Sequence, residues 1–126
     1  MLFSSKVNPV LFIAEVGSNH EGSFAEAKKL VLNASQSNAD VIKLQIFTPE
    51  NMVAKKYDKK RFEHFKKLQL NKRQNLELLK IIKHYKKKTS ASIWDVNQIN
   101  FFKNYIDIFK INTGDVQKIQ IIKKIV

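Results

Sequence analysis

The sequence contains no cysteine, and only two of its 23 basic residues, Arg61 and Arg73, are arginine. Without thiols, disulfide scaffolds and thiolate metal sites are excluded, and a cytoplasmic location is the expectation. No apolar run is longer than a few residues, which rules out a membrane-spanning helix. No secretory signal core is present either, because Phe12, Ile13 and Ala14 run directly into Glu15. The remaining composition, 126 residues with 44% apolar and 27% charged, is that of a globular chain the size of one domain.

The net charge of +12 is the one extreme value. It is concentrated: residues 55–88 hold 14 basic and 3 acidic side chains, while the rest of the chain holds 9 and 8. Abundant Lys, Asn and Ile with little Arg also fits AT-rich coding. Tyr57, Phe62, Phe65 and Tyr85 are interleaved with the lysines, as a nucleic-acid surface would want. The guanidinium groups on which base readout relies are nearly missing. The block reads first as a solvated helix face. A small basic module binding nucleic acid or polyphosphate through 55–88 is the alternative.

Val10 to Val16 is a short apolar, β-branched and aromatic run, and reads as a buried strand. Ser23-Phe-Ala-Glu26 matches a capping box, and Phe24, Ala27, Val31 and Ala34 mark a helical face to about Ser37. Val41 to Phe47 is a second strand. Residues 50–70 read as a long connection with one helical turn near 60–67. Asn71 can cap a helix striped by Leu76, Leu79, Ile82 and Tyr85. A weaker strand follows at 90–94, then a helix capped by Asp95 or Asn97 with Ile99, Phe102 and Ile106 on its apolar face. Ile108 to Ile111 is a fourth strand. A last helix begins near Asp115, with Ile119, Ile122 and Ile125 together.

The βαβαβαβα order with apolar strands predicts a parallel sheet buried on both faces. Gly17-Ser-Asn-His-Glu-Gly22 has neither dinucleotide nor P-loop spacing, which favours a barrel over a doubly wound sheet. Eight such units make a (β/α)₈ barrel, and four are present. The fold class is therefore α/β, the first four βα units of an incomplete TIM barrel. Glu15, Lys43, Gln45, Lys110 and Asn112 are polar residues near strand C-terminal ends, the mouth of such a barrel. Two ammonium groups and a carboxylate there can cradle a small anion, or Glu15 can simply pair with one lysine. His20, beside Asn19 in a turn, reads as a hydrogen-bonding partner rather than a metal ligand.

The local sequences are more specific. Ile13-Ala-Glu-Val-Gly-Ser-Asn-His-Glu-Gly-Ser23 resembles the first strand and turn of the sialic acid synthase family, I-A-E-I-G-x-N-H-x-G. Ala39-Asp-Val-Ile-Lys-Leu-Gln45 resembles its A-D-x-V-K-x-Q, and Phe109-Lys-Ile-Asn-Thr-Gly-Asp115 its K-I-x-S-G-[DE]. The resemblance spans nearly the whole chain and implies the N-terminal half of that family's catalytic barrel. It implies condensation of phosphoenolpyruvate with an amino-sugar aldehyde such as N-acetylmannosamine, forming a nonulosonic acid and releasing phosphate. By that analogy Lys43, Lys110 and Thr113 contact phosphoenolpyruvate, and Glu15 handles the sugar or a proton. Asn19, Gln45 and Asn112 support them. It also implies a divalent Mn or Mg ion whose ligands lie outside this chain, and a homodimer for the complete enzyme. Neither a membrane nor a nucleic acid is an expected partner. Ala91-Ser-Ile-Trp-Asp95 departs from the family's S-T-P-F-D, which points to a different sugar. The family's metal-binding histidines and antifreeze-like domain would fall beyond Val126. The expectation is thus an incomplete enzyme: a truncated reading frame, a split gene or an expressed piece.

Overall fold

The computed structural model describes residues 10–126, and in it four parallel strands pair in chain order: β1 (Ile13–Val16), β2 (Val41–Ile46), β3 (Lys88–Ile93) and β4 (Ile108–Phe109). The connections are helical: α1 (Phe24–Gln36) joins β1 to β2, and α5 (Val96–Phe102) joins β3 to β4. Three helices, α2 (Pro49–Met52), α3 (Lys59–Leu68) and α4 (Lys72–His84), lie between β2 and β3. The final helix is α6 (Ile119–Ile125). Sequential parallel strands joined by helices on one face are the architecture of part of a (β/α)₈ barrel.

Register separates the two faces of the sheet. Glu15 lies opposite Lys43 and Lys43 opposite Ser90, while Gln45 lies opposite Ser92. Neighbouring residues in a parallel ladder point the same way, so these five side chains share one face. The opposite face carries Val16, Ile42, Leu44, Ile46, Ala91 and Ile93, which form one core with Ala27, Val31, Leu78, Leu79, Ile82, Ile99 and Phe102 of the helices. The strands therefore alternate more than their apolar content suggests. β2 and β3 are nonetheless buried along almost their full length, whereas β1 is largely exposed at its start.

The connection between β2 and α4 is more ordered than its polarity predicts. A ten-residue helix, α3, replaces the single turn expected there. Its Asp58 cap accepts from the Arg61 N–H, and Phe62 and Leu68 are buried. The capping box at Ser23 forms in one direction only. Ser23 Oγ accepts from Glu26 N–H, while the Glu26 carboxylate pairs with Lys29 at 2.7 Å. At Asn71 both halves form, with Gln74. The buried residue of α6 is Ile121 rather than Ile119, which is 61% exposed, because Thr113–Asp115 forms a 3₁₀ turn and delays the helix to residue 119. β4 is two residues long rather than four.

A glycine fixes how the mouth end packs. Gly22 adopts φ +85°, and a Cβ there would sit 2.0 Å from the Lys67 carbonyl oxygen at the end of α3. The turn after β1 thus lies directly on α3 backbone. Gly114 has ordinary φ and open space around it. Gly22→Ala is expected to lower stability by about 1–3 kcal/mol, from left-handed strain and the backbone clash. Gly114→Ala should be close to neutral. Thermal melts followed by circular dichroism check both, and equal melting temperatures for the two variants would contradict the packing described.

Candidate active site

Lys43 is the least expected residue of the sheet: a lysine in a central strand, 8% exposed. An ammonium group in that position needs a partner. The register supplies one, since Lys43 Nζ donates to Glu15 Oε1 at 2.6 Å from the adjacent strand. Gln45 Nε2, two residues further along β2, donates to the same oxygen at 2.7 Å. The Lys43 and Gln45 bonds, with the positive charges of Lys43 and Lys110 nearby, hold the Glu15 carboxyl below its ordinary value of 4.5 against an opposing push from burial.

A second group forms where β3 and β4 end. Lys110 Nζ donates to Asn112 Oδ1 at 2.9 Å, and Ser92 Oγ donates to the same atom at 3.2 Å. Asn112 Nδ2 in turn donates to the buried Asp115 carboxylate, whose other oxygen pairs with Lys118 at 2.6 Å. The two groups differ in charge. The Lys43 charge is matched by Glu15 at contact distance. Among the described residues the Lys110 ammonium has no carboxylate within salt-bridge distance, and Lys110 is exposed.

The sequence-derived site residues thus fall into two clusters, Glu15 with Lys43 and Gln45, and Lys110 with Asn112. Asn19 lies in the 3₁₀ turn Ser18–His20, its Oδ1 close to Gly17. A Cβ on Gly17 would sit 3.3 Å from Gln45 Nε2, so this glycine leaves room for the amide that steadies Glu15. Thr113 is exposed at the start of its 3₁₀ turn, with no hydrogen bond to its hydroxyl among the described residues. His20 is buried and accepts from Gly22 N–H through Nδ1 at 3.0 Å, the turn-bracing role its position suggests. Ser92, Asp115 and Lys118 were not legible as site neighbours. Ser92 becomes one only through its register with Gln45, and Asp115 only once the turn brings it back to Asn112.

Aromatic packing closes the wall around the mouth. Phe47, just past β2, makes edge contacts with Phe65 of α3 at 5.7 Å and with Trp94, just past β3, at 6.3 Å. These contacts hold α3 and its lysines at the mouth end. Lys86, Lys87 and Lys88 lie at the opposite end, where β3 begins. The basic block is therefore split between the two ends of the sheet rather than presented as one surface. Among the described residues no cluster of three or more His, Cys, Asp or Glu is placed to hold a metal ion. No helix among them is long and apolar enough to cross a membrane.

With this geometry in hand, comparison with known proteins is decisive. The model of the NeuB family matches residues 30–126. The chain belongs to the NeuB family. It is 31% identical to the N,N'-diacetyllegionaminic acid synthase of Campylobacter jejuni, over 91% of this chain and 38% of that protein. It is 27% identical to the N-acetylneuraminate-9-phosphate synthase of Drosophila melanogaster, over 94% of this chain and 35% of that protein. Among solved structures, the N-acetylneuraminic acid (sialic acid) synthetase of Leptospira borgpetersenii, crystallised with citrate, superimposes with a TM-score of 0.82 at 25% identity, over 96% of this chain and 44% of that one. This NeuB-family chain spans well under half the length of these relatives, and its four βα units correspond to part of their TIM barrels.

The lowered pKa values give a pH prediction. Burial depresses the His20 pKa below its ordinary 6.5, so the folded state binds that proton less readily than the unfolded chain. The resulting stabilisation is complete above pH 6.5 and is lost as pH falls through the folded value. Glu15 behaves alike at lower pH: its contribution is present above 4.5 and lost as pH falls through its depressed value. Urea midpoints measured from pH 7.5 down to about pH 2 should therefore decline in two stages, the second below pH 4.5. His20→Gln should flatten the upper stage, and Glu15→Gln should shrink the lower one, which Asp107, also held below its ordinary value, shares. A wild-type midpoint that rises on acidification would contradict both assignments.

Proposed function

We propose that the chain supplies the phosphoenolpyruvate-binding side of a nonulosonic acid synthase, an enzyme that condenses phosphoenolpyruvate with an amino-sugar aldehyde and releases phosphate. The observation that carries this reading is the unequal pair of lysines at one mouth, Lys110 without a carboxylate at contact distance and Lys43 matched by Glu15. Phosphoenolpyruvate brings a phosphate and a carboxylate, both of which fixed ammonium groups neutralise. Lys110 receives the anion first, because nothing negative need be displaced from it. Thr113, exposed beside it, offers a hydroxyl donor.

Engagement of Lys43 by the same anion competes with Glu15 for the ammonium. The carboxylate then loses the strongest of the hydrogen bonds that lower its pKa and becomes a better proton acceptor at the mouth. In this reading Gln45 keeps Glu15 oriented during the exchange, Asn112 aligns Lys110, and Asn19 borders Gln45 through Gly17. The enol carbon of phosphoenolpyruvate can then meet a sugar aldehyde held at fixed distance, which converts an encounter into an intramolecular step. Among the described residues no cluster of His, Cys, Asp or Glu fits a divalent ion; one held by residues outside 10–126 would supply Lewis-acid polarisation of the aldehyde oxygen.

Titration of the 126-residue chain with phosphoenolpyruvate, followed by two-dimensional NMR, tests the reading. Shifts should concentrate on residues 15–19, 43–45 and 110–115. Lys110→Met, at an exposed position, should keep the fold and weaken binding by roughly tenfold or more. With phosphoenolpyruvate, N-acetylmannosamine and Mn²⁺ together, the chain alone should release no phosphate above background. Shifts confined to the lysines of 55–88, unaffected by Lys110→Met, would sink the proposal.

A further inference from the structure

At the end of the sheet opposite the mouth, the chain gathers positive charge around one carboxylate. Lys86-Lys87-Lys88, the only run of three lysines in the sequence, carries the chain from α4 into β3. With Lys83 on the last turn of α4 and Asp107 ahead of β4, these lysines line a hollow of about 280 Å³. The lining holds four ammonium groups against one carboxylate, a net of +3, and no aromatic or apolar side chain. Asp107 is committed to the fold. It stands one residue ahead of β4, as Asp40 stands ahead of β2, and each accepts from a backbone N–H, Thr89 at 2.8 Å and Phe12 at 2.9 Å. Lys83 lies 3.7 Å from the other Asp107 oxygen, and Lys87 Nζ donates to the Ser37 carbonyl at 2.9 Å. Among the described residues Lys86 and Lys88 have no carboxylate within salt-bridge distance.

The backbone holds this cluster in a strained form. Lys86 has φ +56° and is one of two non-glycine residues in the left-handed region among those described. It follows Tyr85, the cap of α4, at the position where helices commonly end on glycine because no Cβ is then strained. The turn itself asks for no side chain there. Lys86 N–H bonds the Lys83 carbonyl at 2.9 Å, and Lys87 N–H bonds the Ile82 carbonyl at 3.3 Å. Cations are favoured near a helix C-terminus, yet these two carbonyls are already taken by backbone donors. Lysine in place of glycine therefore adds strain and repulsion from its neighbours. What it supplies is a further ammonium group on the hollow.

We propose that this hollow is a binding site for a diphosphate group, separate from the mouth. Two linked phosphates carry about −3 to −4 near neutral pH, which matches the +3 of the lining, whereas one phosphate leaves part of it uncompensated. Lys86 and Lys88 meet the anion first, as the two ammonium groups without a carboxylate, and Lys83 turns to it from its long contact with Asp107. No ring lines the hollow to stack a base, so the diphosphate itself is recognised, free or at the end of a larger molecule. Binding relieves the repulsion among the lysines and therefore stabilises the fold. The five lining residues lie between 83 and 107, so the site needs no contribution from either end of the chain. It is independent of what the mouth binds.

Titration of the 126-residue chain with inorganic pyrophosphate at about 0.15 M salt, followed by two-dimensional NMR and calorimetry, is the test. Shifts should saturate at one site, on residues 83–89 and 107, with orthophosphate binding at least tenfold more weakly. Two substitutions that each remove one positive charge separate a built site from general attraction. Lys86→Gly should melt at a higher temperature than the wild type, because strain and repulsion are both relieved, yet bind pyrophosphate at least tenfold more weakly. Lys66→Gln, on exposed α3, should bind within about twofold of the wild type. Equal weakening by the two substitutions, or shifts spread over the lysines of α3, would mean diffuse attraction to a basic chain and overturn the proposal. Adenosine diphosphate should compete for the same site with no gain in affinity over pyrophosphate. A tenfold gain would make the nucleoside the recognised group and overturn it as well.

Discussion

A single buried ammonium group constrains the sheet. Lys43 occupies the middle of a central strand, and its charge is tolerable there only because Glu15 is across the ladder at 2.6 Å. A slip of one residue between β1 and β2 would turn Glu15 to the helix face and leave Lys43 unpaired. The pair therefore specifies register as well as local charge. Once register is fixed, Gln45, Ser90 and Ser92 fall on the same face as Lys43, and the apolar residues between them face the helices. The polar mouth and the apolar core are two consequences of one alignment.

The second strand pair repeats this design with one substitution. Ser92 stands where Glu15 stands in the first pair, so Lys110 keeps a hydrogen bond to Asn112 but has no carboxylate at salt-bridge distance among the described residues. Electrostatic asymmetry at the mouth thus arises within a symmetric backbone. Membership of the NeuB family, whose named relatives include synthases of legionaminic and sialic acid type, gives that asymmetry a chemical setting. The aspartates at the strand entries do the complementary work at the other end. The Asp107 carboxyl is pushed up by burial, yet hydrogen bonds from the Thr89 N–H and hydroxyl and the charges of Lys83 and Lys88 hold it below its ordinary value.

The parts of this architecture carried by local chemistry were legible in the sequence. Caps at Asn71 and Asp95, the apolar strands and the order of elements depend on neighbours a few residues away. So did the grouping of Glu15 with Lys43 and Gln45, because the motif spacing places them at strand ends. The order of α3 was not legible, because a helix with mean polarity that high is held by tertiary contacts, with Phe62 buried and Phe65 against Phe47. The shift of α6 was hidden by isoleucines at 119, 121, 122 and 125, which allow more than one helical face. The departure at Ile93-Trp94 acquires a role only in three dimensions, where Trp94 meets Phe47 at the rim.

The exchange of Lys43 between Glu15 and an incoming anion is the central claim about the mouth. It is measured most directly by following the Glu15 side-chain carboxyl carbon through a pH titration, with and without saturating phosphoenolpyruvate. The bound anion should draw Lys43 away and move the Glu15 midpoint upward, toward the ordinary glutamate value. A midpoint that stays in place or moves downward would show that the ion pair survives binding and that Lys43 is structural only.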